Sequence, residues 1–361
     1  MARRLLVVTQ HVDPSHPLLA STVPKLAALA AQVDDLVVVA LSLRPDCLPP
    51  NARGRVFGSR TRLGRAAKLA WALAVEVPRL RGSGGVLAHQ CAVYAVVAAP
   101  FTRLLRVPLV LWYAHWHRPR ALRLAHRLVD AIATTVPTSC PIDSEKVVPV
   151  GQAIPVGEIP LTRRRRAHRR FRAVVVGRYS PAKGLETIIR GVRLALDRGL
   201  DVELQVRGPD LAPAEQEERE RLEQLVGQLG LEPRVRLEGP VEWSELPQVF
   251  EDADVLVNNH RDGTADQVVF EAAASGLPPL ASNICFDGLL EPELRFAQND
   301  PVDLADHLER LARLSVERRE QLGVAVRRRV LDEHSVQSWA ARVAALAGVA
   351  GAHLGVVALM W

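Results

Sequence analysis

The chain has 361 residues, which suggests about two domains, and its 48% hydrophobic and 24% charged content excludes a disordered or fibrous protein. A formal net charge of +6 favours an acidic partner: nucleotide phosphate, an anionic membrane surface or nucleic acid. Of the 46 basic residues only Lys25, Lys68, Lys146 and Lys183 are lysines. Cys47, Cys91, Cys140 and Cys285 are isolated in sequence, as buried thiols in a reducing compartment would be.

Strands and helices alternate from the N-terminus. Residues 5–9 read as a buried strand rather than part of a signal peptide. A loop over 10–17, a helix over 21–31 and a strand over 36–43 follow. Residues 60–81 carry Arg60, Arg62, Arg65, Lys68, Arg79 and Arg81 against one acid, Glu76. Leu63, Ala66, Leu69 and Leu73 fall between them. This pattern predicts a basic amphipathic helix, which either lies on an anionic membrane or shows water a charged face. Further strands are predicted at 86–89, 109–113 and 131–134. Continuous apolar strands separated by helices imply a parallel sheet covered on both faces. The apolar region 86–111 is interrupted by Pro100, Arg103, Arg106 and Pro108 and is not a membrane span. With neither a secretion signal nor a span, the expected location is cytoplasmic, extended by the basic helix to the inner face of the membrane.

Tyr113-Ala-His115-Trp116-His117 sits at the C-terminal end of a strand, where α/β ligands bind. His115 reaches a ligand oxygen or is a satisfied structural histidine. A metal held with His117 lacks a further ligand cluster. Pro155, Pro160 and the basic run at 163–166, with Arg169 and Arg170, read as a linker between domains. No aromatic stacking platform accompanies that run, so nucleic acid is not the expected partner.

The second half restarts the alternation with strands at 173–176, 202–206, 235–237 and 254–257. Helices are predicted at 185–198, 214–229, 246–251, 302–330 and 336–347. Arg178 and Lys183 flank a tight loop between a strand and a helix N-terminus. Together they can neutralise a diphosphate, Arg by a bidentate fork and Lys as a point charge. The loop is not a P-loop, and no GxGxxG follows the first strand, which disfavours a nicotinamide enzyme. The stretch from Asp262 to Pro278 is a polar loop followed by an apolar helix carrying Glu271, ended by Gly276 and Pro278. A strand is expected at 280–284. A lone carboxylate in such a helix needs a partner, either ribose hydroxyls or the helix dipole.

Gly177-Arg178-x4-Lys183-Gly184, Gly208, Gly239-Pro-Val241 and Glu271-Ala-x3-Gly276-Leu-Pro278 together resemble the C-terminal domain of retaining GT-B glycosyltransferases of the family 4 type. Gly151-Gln-Ala-Ile-Pro155, His115 and the Thr9-Gln-His-Val-Asp13 loop resemble that family's N-terminal domain. The fold this implies is α/β, with two Rossmann-like parallel-sheet domains facing across a cleft. The first, over 1–157, would take the acceptor, and the second, over 171–334, the donor. Residues 158–170 would be the basic linker. The helix and apolar tail over 335–361 would cross back to the first domain or anchor to a membrane.

The resemblance also implies roles. Arg178 and Lys183 would hold the diphosphate of a nucleoside-diphosphate sugar, with Gly208 beside them. Glu271 would accept from the ribose hydroxyls, and the backbone at Val241 would meet the base. Gly263, Thr264, Ala265 and Asp266 would touch the donor sugar. His115 would reach the bond being broken, and Gln10, His11, Asp13 and His117 would face a glycan, lipid-linked or small-molecule acceptor. The reaction would be hexosyl transfer with retention, without a metal or other cofactor. Asp252-Ala-Asp254 resembles a DxD metal motif but lies at a strand entry. The family usually has an acid where this chain has Gly263, so Asp262 or Asp266 replaces it, or donor specificity has changed, or activity is lost. The alternatives are a catalytically silent binding subunit and a sugar-nucleotide epimerase of the same fold.

Overall fold

The computed structural model describes residues 2–16, 19–162 and 170–349. They form two compact units: one holds the residues up to Ala153 and those from Glu333 onward, the other runs from Ile154 to Asp332. The basic run at 163–166, Arg169 and the apolar end from residue 350 lie outside the described residues.

The first unit contains β1 (Arg4–Val12), α1 (Thr22–Ala30), β2 (Asp35–Leu43), β3 (Ala52–Val56), α2 (Arg62–Glu76), β4 (Gly84–His89), α3 (Ala92–Leu105), β5 (Leu109–Trp112), α4 (Arg120–Leu128), β6 (Ala131–Thr134) and β7 (Val147–Pro149). The strands form one parallel sheet in the order β3-β2-β1-β4-β5-β6-β7. Alternation along β1 sends Leu6 and Val8 into a core with Leu69 and Leu73 of α2. Leu5 and Val7 enter the opposite core with Leu26 and Leu29 of α1. Both faces are covered, so the central strands carry no polar alternation.

Two departures from the expected pattern have local causes. β1 continues through Gln10, His11 and Val12, because His11 and Val12 pair with Ser42 and Leu43 of β2. β3, Ala-Arg-Gly-Arg-Val, is a partly exposed edge strand with no apolar run to announce it.

α2 covers the middle of the predicted basic helix and passes into a 3-10 turn, Val77–Leu80. Leu69 and Leu73 are buried as the pattern required. Leu63 and Ala66 are not: Ala66 is exposed and Leu63 is 81% exposed, and Trp71 is 70% exposed. Glu76 is turned inward, where Arg53, Arg55 and Arg79 contact its carboxylate at 2.8, 2.6 and 2.8 Å. Cys140 and Cys285 are buried, whereas Cys47 and Cys91 are only half-buried.

The second unit contains β8 (Phe171–Val176), α5 (Leu185–Asp197), β9 (Val202–Arg207), α6 (Pro213–Gln228), β10 (Val235–Glu238), α7 (Leu246–Glu251), β11 (Val255–Asn258), α8 (Gln267–Ser275), β12 (Pro279–Ala281), α9 (Pro301–Arg313) and α10 (Val316–Arg329). Its parallel sheet has the order β10-β9-β8-β11-β12. Strand order reverses between β8 and β11, and ligands of open α/β sheets sit over the strand ends at such a reversal. β12 stops at Ala281 rather than 284, because the Asn283 side chain turns the chain: Nδ2 donates to the carbonyls of His260, Arg261 and Thr264. The charged segment over 302–330 is two helices, broken where Ser315 caps α10 by accepting from the Arg318 N–H at 3.2 Å. The last helix, α11 (Val336–Leu346), belongs to the first unit, where Trp339 packs edge-on against Trp112 of β5. Among the described residues no helix is long and apolar enough to cross a membrane.

Candidate functional site

The site is built where β8 and β11 end. After β8, Gly177 donates its N–H to the Arg207 carbonyl at 2.9 Å. A Cβ on Gly208 would lie 1.9 Å from the Gly177 carbonyl oxygen. A Cβ on Gly177 would lie 2.6 Å from Lys183 Nζ. The two glycines therefore let the strand ends close up and let the Lys183 side chain fold back over them. Lys183 ends a 3-10 turn, Pro181–Lys183, that leads into α5.

Lys183 Nζ is ion-paired with Asp266 Oδ2, with the two side chains only 11% and 17% exposed. Asn258, the last residue of β11, donates Nδ2 to the same oxygen at 2.7 Å. Asp266 stands at the N-cap of α8 but makes no capping bond with its side chain, which is given to Lys183 and Asn258 instead. Burial works to raise the Asp266 carboxyl, but Lys183 and His260 outweigh it and hold the group below its ordinary value. His260 lies within the same field, and burial pushes its imidazole below the ordinary value.

α8 follows at once, and all of its residues from Val268 to Ser275 are buried. Glu271 is its only charged residue, 6% exposed. Burial pushes the Glu271 carboxyl up, while hydrogen bonds from Gln267 and Trp243 pull the other way. The Gln267 bond is 2.6 Å, Nε2 to Oε1. Glu271 lines a narrow pocket with Glu158, Ile159, Trp243, Leu246, Pro247 and Phe250.

The other expected residues divide as follows. Arg178 is half-exposed and its Nη1 contacts Glu215 Oε1 at 2.7 Å, so both expected diphosphate cations have carboxylate partners inside the protein. Val241 is half-buried just beyond β10, two residues before Trp243. In the loop before α8, Gly263 has φ of 84°, a path that strains any residue with a side chain. Ala265 is buried, and the Thr264 hydroxyl oxygen is buried with no hydrogen-bond partner. Asp262 accepts from the Ile284 N–H at 2.9 Å and does not join the Lys183 cluster, whereas Asp266 does. Asp254 accepts from the Arg172 N–H at 2.9 Å and pairs with Arg319 at 3.5 Å, while Asp252 accepts from Gln248, so the DxD-like sequence serves packing. Among the described residues no group of three or more His, Cys, Asp or Glu is placed to hold a metal.

In the first unit, the expected acceptor residues occupy strand ends. His11 Nδ1 is 2.6 Å from Ser42 Oγ, and its ring stacks on His16 with centroids 4.7 Å apart. Asp13 accepts from Ser15 N–H and Oγ at 3.0 and 2.7 Å and lies 3.7 Å from Arg44. Gln10 is half-buried on β1. His115 and His117 are exposed beyond β5, with His115 Nδ1 accepting from the His117 N–H at 3.0 Å and its ring stacked on Trp116. Sequence reasoning missed Asn258, His260, Trp243, Gln267 and Glu215. Gln267 had a signal, since it stands four residues before Glu271 on one helix face. Asn258 and His260 come from the strand end and loop just before Asp266, whereas Trp243 and Glu215 come from a turn and a helix distant in sequence.

The glycosyl transferases group 1 family matches residues 170–313. D-inositol 3-phosphate glycosyltransferase of Corynebacterium diphtheriae is 33% identical over 186 residues, 49% of this chain and 41% of that protein. The match thus spans less than half of that relative's length. A glycosyltransferase crystal structure from Rickettsia africae superposes with a TM-score of 0.76 at 11% identity, covering 96% of this chain and 98% of that one. Anabaena HepE in complex with UDP and glucose superposes with a TM-score of 0.71 at 17% identity, covering 94% and 98%. Residues 170–313 therefore resemble the glycosyl transferases group 1 family, on a chain that has the GT-B fold.

Proposed function

We propose that the protein is a retaining glycosyltransferase that moves a hexose from a nucleoside-diphosphate sugar to a glycan, lipid-linked or small-molecule acceptor. The observation that carries this reading is the meeting of Lys183, Asp266 and Asn258 at the β8/β11 reversal, one helix turn from the buried Glu271. Two further facts support it: the matched family domain contains all of these residues, and a structural neighbour was crystallised with UDP and glucose.

In this reading the donor diphosphate exchanges with the internal carboxylates for Lys183 and Arg178. Ribose hydroxyls donate to Glu271, and the backbone near Val241 meets the base. The sugar lies against Gly263, Thr264, Ala265 and Asp266, where the buried Thr264 hydroxyl gains the partner it lacks. Breaking the sugar–phosphate bond leaves positive charge on the anomeric carbon and negative charge on the leaving diphosphate. The two cations stabilise the second charge, and the leaving phosphate takes the acceptor proton. His115 serves the sugar, and Gln10, His11, Asp13 and His117 the acceptor. No resident metal takes part.

Donor hydrolysis and sugar transfer by the purified protein test this. Arg178→Ala and Lys183→Ala should each lower turnover by roughly 10²–10³-fold, the usual cost of removing one stabiliser of developing charge. Tight nucleotide binding without turnover would favour a silent binding subunit, a reading that the Arg178–Glu215 and Lys183–Asp266 pairs support. Isomerised donor without release of nucleoside diphosphate would favour an epimerase.

Peripheral binding to an anionic membrane is part of the same proposal. α2 exposes Leu63 and Trp71 along with Arg62 and Lys68, an apolar stripe with basic flanks suited to the lipid headgroup level. Leu63→Glu with Trp71→Glu should abolish co-sedimentation with phosphatidylserine vesicles. Equal binding by that variant would remove α2 from the contact.

A further inference from the structure

One layer of the first unit carries charge of a single sign. Residues 57–129 hold twelve basic side chains and one acid, Glu76, whereas the rest of the chain has 34 basic and 39 acidic residues. Glu76 is buried against Arg53, Arg55 and Arg79 and gives nothing to the surface. The net positive charge of the whole chain therefore resides in this stretch.

The stretch folds as α2, α3 and α4 on one face of the sheet, since Leu69 and Leu73, Ala95 and Ala98, and Leu122 and Ala125 enter the same core. α3 packs against both of the other helices. It has no charged residue from Ala92 to Thr102. A helix that is apolar all round belongs in a core, and α3 does bury Ala95, Ala98, Ala99 and Thr102. Its other side is open. Val93, Val97, Pro100 and Leu104 follow one another at steps of four, three and four residues, so they share one outward stripe. Val93 is 50% and Leu104 82% exposed, and Pro100 is exposed beside the half-buried Val97. Such an apolar ridge at a surface marks a contact with something other than water.

Cations flank the ridge. On α4, Arg120, Arg123, Leu124 and Arg127 point outward, opposite the buried Leu122 and Ala125. Arg103, at the end of α3, reaches across and donates Nη2 to the Arg127 carbonyl at 2.9 Å. Among the described residues no carboxylate pairs with Arg103, Arg106, Arg120, Arg123 or Arg127. The arginines of α5 and α6 do have such partners: Arg190 and Arg221 pair with Glu186, Arg193 with Asp197 and Arg219 with Asp210. The α4 side thus keeps charge that the protein does not neutralise itself, and it calls for an anionic partner. On the other side of the ridge α2 exposes Arg62 and Lys68.

We propose that α3 is the centre of a membrane-docking face: Val93, Val97, Pro100 and Leu104 enter the acyl boundary of an anionic bilayer, while the arginines of α4 and the cations of α2 meet its headgroup phosphates on either side. This rests on the reading of α2 as a membrane contact and moves the centre of that contact one helix along. The three helices and the sheet beneath them then lie along the bilayer surface. Lipid is the partner because it alone joins an anionic layer to an apolar one. A nucleic acid is gripped by cations and aromatic stacking, and an aliphatic ridge gains nothing from it.

Co-sedimentation of the full-length protein with phosphatidylserine vesicles and with phosphatidylcholine vesicles tests this. The wild type should bind the first, release them as salt rises, and ignore the second. Arg120→Gln with Arg123→Gln and Arg127→Gln should weaken partitioning roughly 100-fold, at about fivefold for each arginine near an anionic surface. Val93→Glu with Leu104→Glu, which keeps every arginine, should weaken it about tenfold or more. These five positions are exposed, so thermal midpoints should stay at the wild-type value. Wild-type partitioning by both variants, with loss in Leu63→Glu with Trp71→Glu, would overturn the α3 face and leave the α2 contact standing. Loss in the arginine variant alone would overturn the apolar ridge. A wild type that ignores phosphatidylserine vesicles would overturn both readings, and its retention by duplex DNA would then make nucleic acid the partner of these arginines.

Discussion

The Lys183 ammonium and the Asp266 carboxylate form an ion pair at the point where the second sheet reverses its strand order. Lys183 stands behind β8 and Asp266 at the start of the helix after β11, 83 residues apart in sequence. Of the two acids near Gly263, Asp266 enters the cluster, while Asp262 binds the Ile284 N–H. A diphosphate reaching Lys183 therefore meets a carboxylate already there.

Asp266→Asn therefore separates two effects. Removing the carboxylate charge removes its competition with phosphate, so pyrophosphate and nucleoside diphosphates should bind more tightly, by about tenfold or ~1.4 kcal/mol. Sugar transfer should fall at the same time, because Asp266 is proposed to touch the donor sugar. Calorimetry beside a turnover assay checks both. Unchanged nucleotide affinity would mean that Lys183 does not receive the diphosphate.

Gly208→Ala tests the scaffold beneath this pair. The added methyl would lie 1.9 Å from the Gly177 carbonyl oxygen, a backbone atom held by its neighbouring strands. Either β9 moves away from β8 or the Gly177 turn shifts and takes Lys183 with it. We expect destabilisation of about 1–3 kcal/mol, as for other overpacked sites, seen as a lower thermal midpoint together with weaker pyrophosphate binding. A stable variant with weakened binding would still support the close approach; a stable variant with normal binding would not.

How far the sequence announced these features depended on whether each signal was local. The strand over 131–134 and the helix over 246–251 match β6 and α7 residue for residue, the first a short apolar run after Asp130 and the second a short segment with Pro247 in its first turn. Lys183 and Glu271 stood out as a rare lysine beside a glycine turn and a lone carboxylate in an apolar helix. The Arg178–Glu215 and Lys183–Asp266 pairs gave no sign, because only sheet topology brings their members together. The same limit hid Trp243, which lines one pocket with Glu271 from another loop. On α2, periodicity alone placed Leu63 inward, whereas the helix turns Leu69, Ala72, Leu73 and Glu76 to the core and leaves Leu63 in solvent.

Glu271→Gln should trade stability against binding. Burial raises the Glu271 carboxyl above its ordinary value, so its ionised form is disfavoured in the fold. The stability this group contributes is complete below the ordinary carboxyl value and is lost as pH rises through the raised one. At neutral pH the uncharged variant should therefore unfold at a higher temperature than the wild type, and the difference should vanish in acid. Nucleoside diphosphates should bind roughly 10–100-fold more weakly, since hydrogen bonds to a charged group contribute about 1.5–3 kcal/mol. Thermal melts across pH, with and without UDP, measure both. A lower midpoint at neutral pH would contradict the desolvation argument.

Glu76 titrates with the opposite sign. Burial would raise its carboxyl, but hydrogen bonds from Arg53, Arg79 and Arg55 overcome this and lower it from 4.5 to about 2. A depressed carboxylate contributes stability that is present above its ordinary value and is lost as pH falls toward the depressed one, here between about 4.5 and 2. Glu76 is 1% exposed, whereas its three arginines are 42%, 43% and 52% exposed, so solvent screens part of the attraction. Glu76→Gln should accordingly cost about 2 kcal/mol at neutral pH, below the 3–5 kcal/mol typical of a fully buried broken pair. The variant and the wild type should converge in stability as pH drops below 4.5, because protonation has by then removed the same charge from both. Denaturant unfolding at pH 7 and pH 3 measures the two differences. A constant gap across that range would mean that Glu76 acts by packing and not by charge. The same residue anchors the end of α2, so loosening it should also weaken vesicle binding if α2 docks as a rigid helix, and leave it unchanged if the exposed Leu63 and Trp71 act without that anchored end.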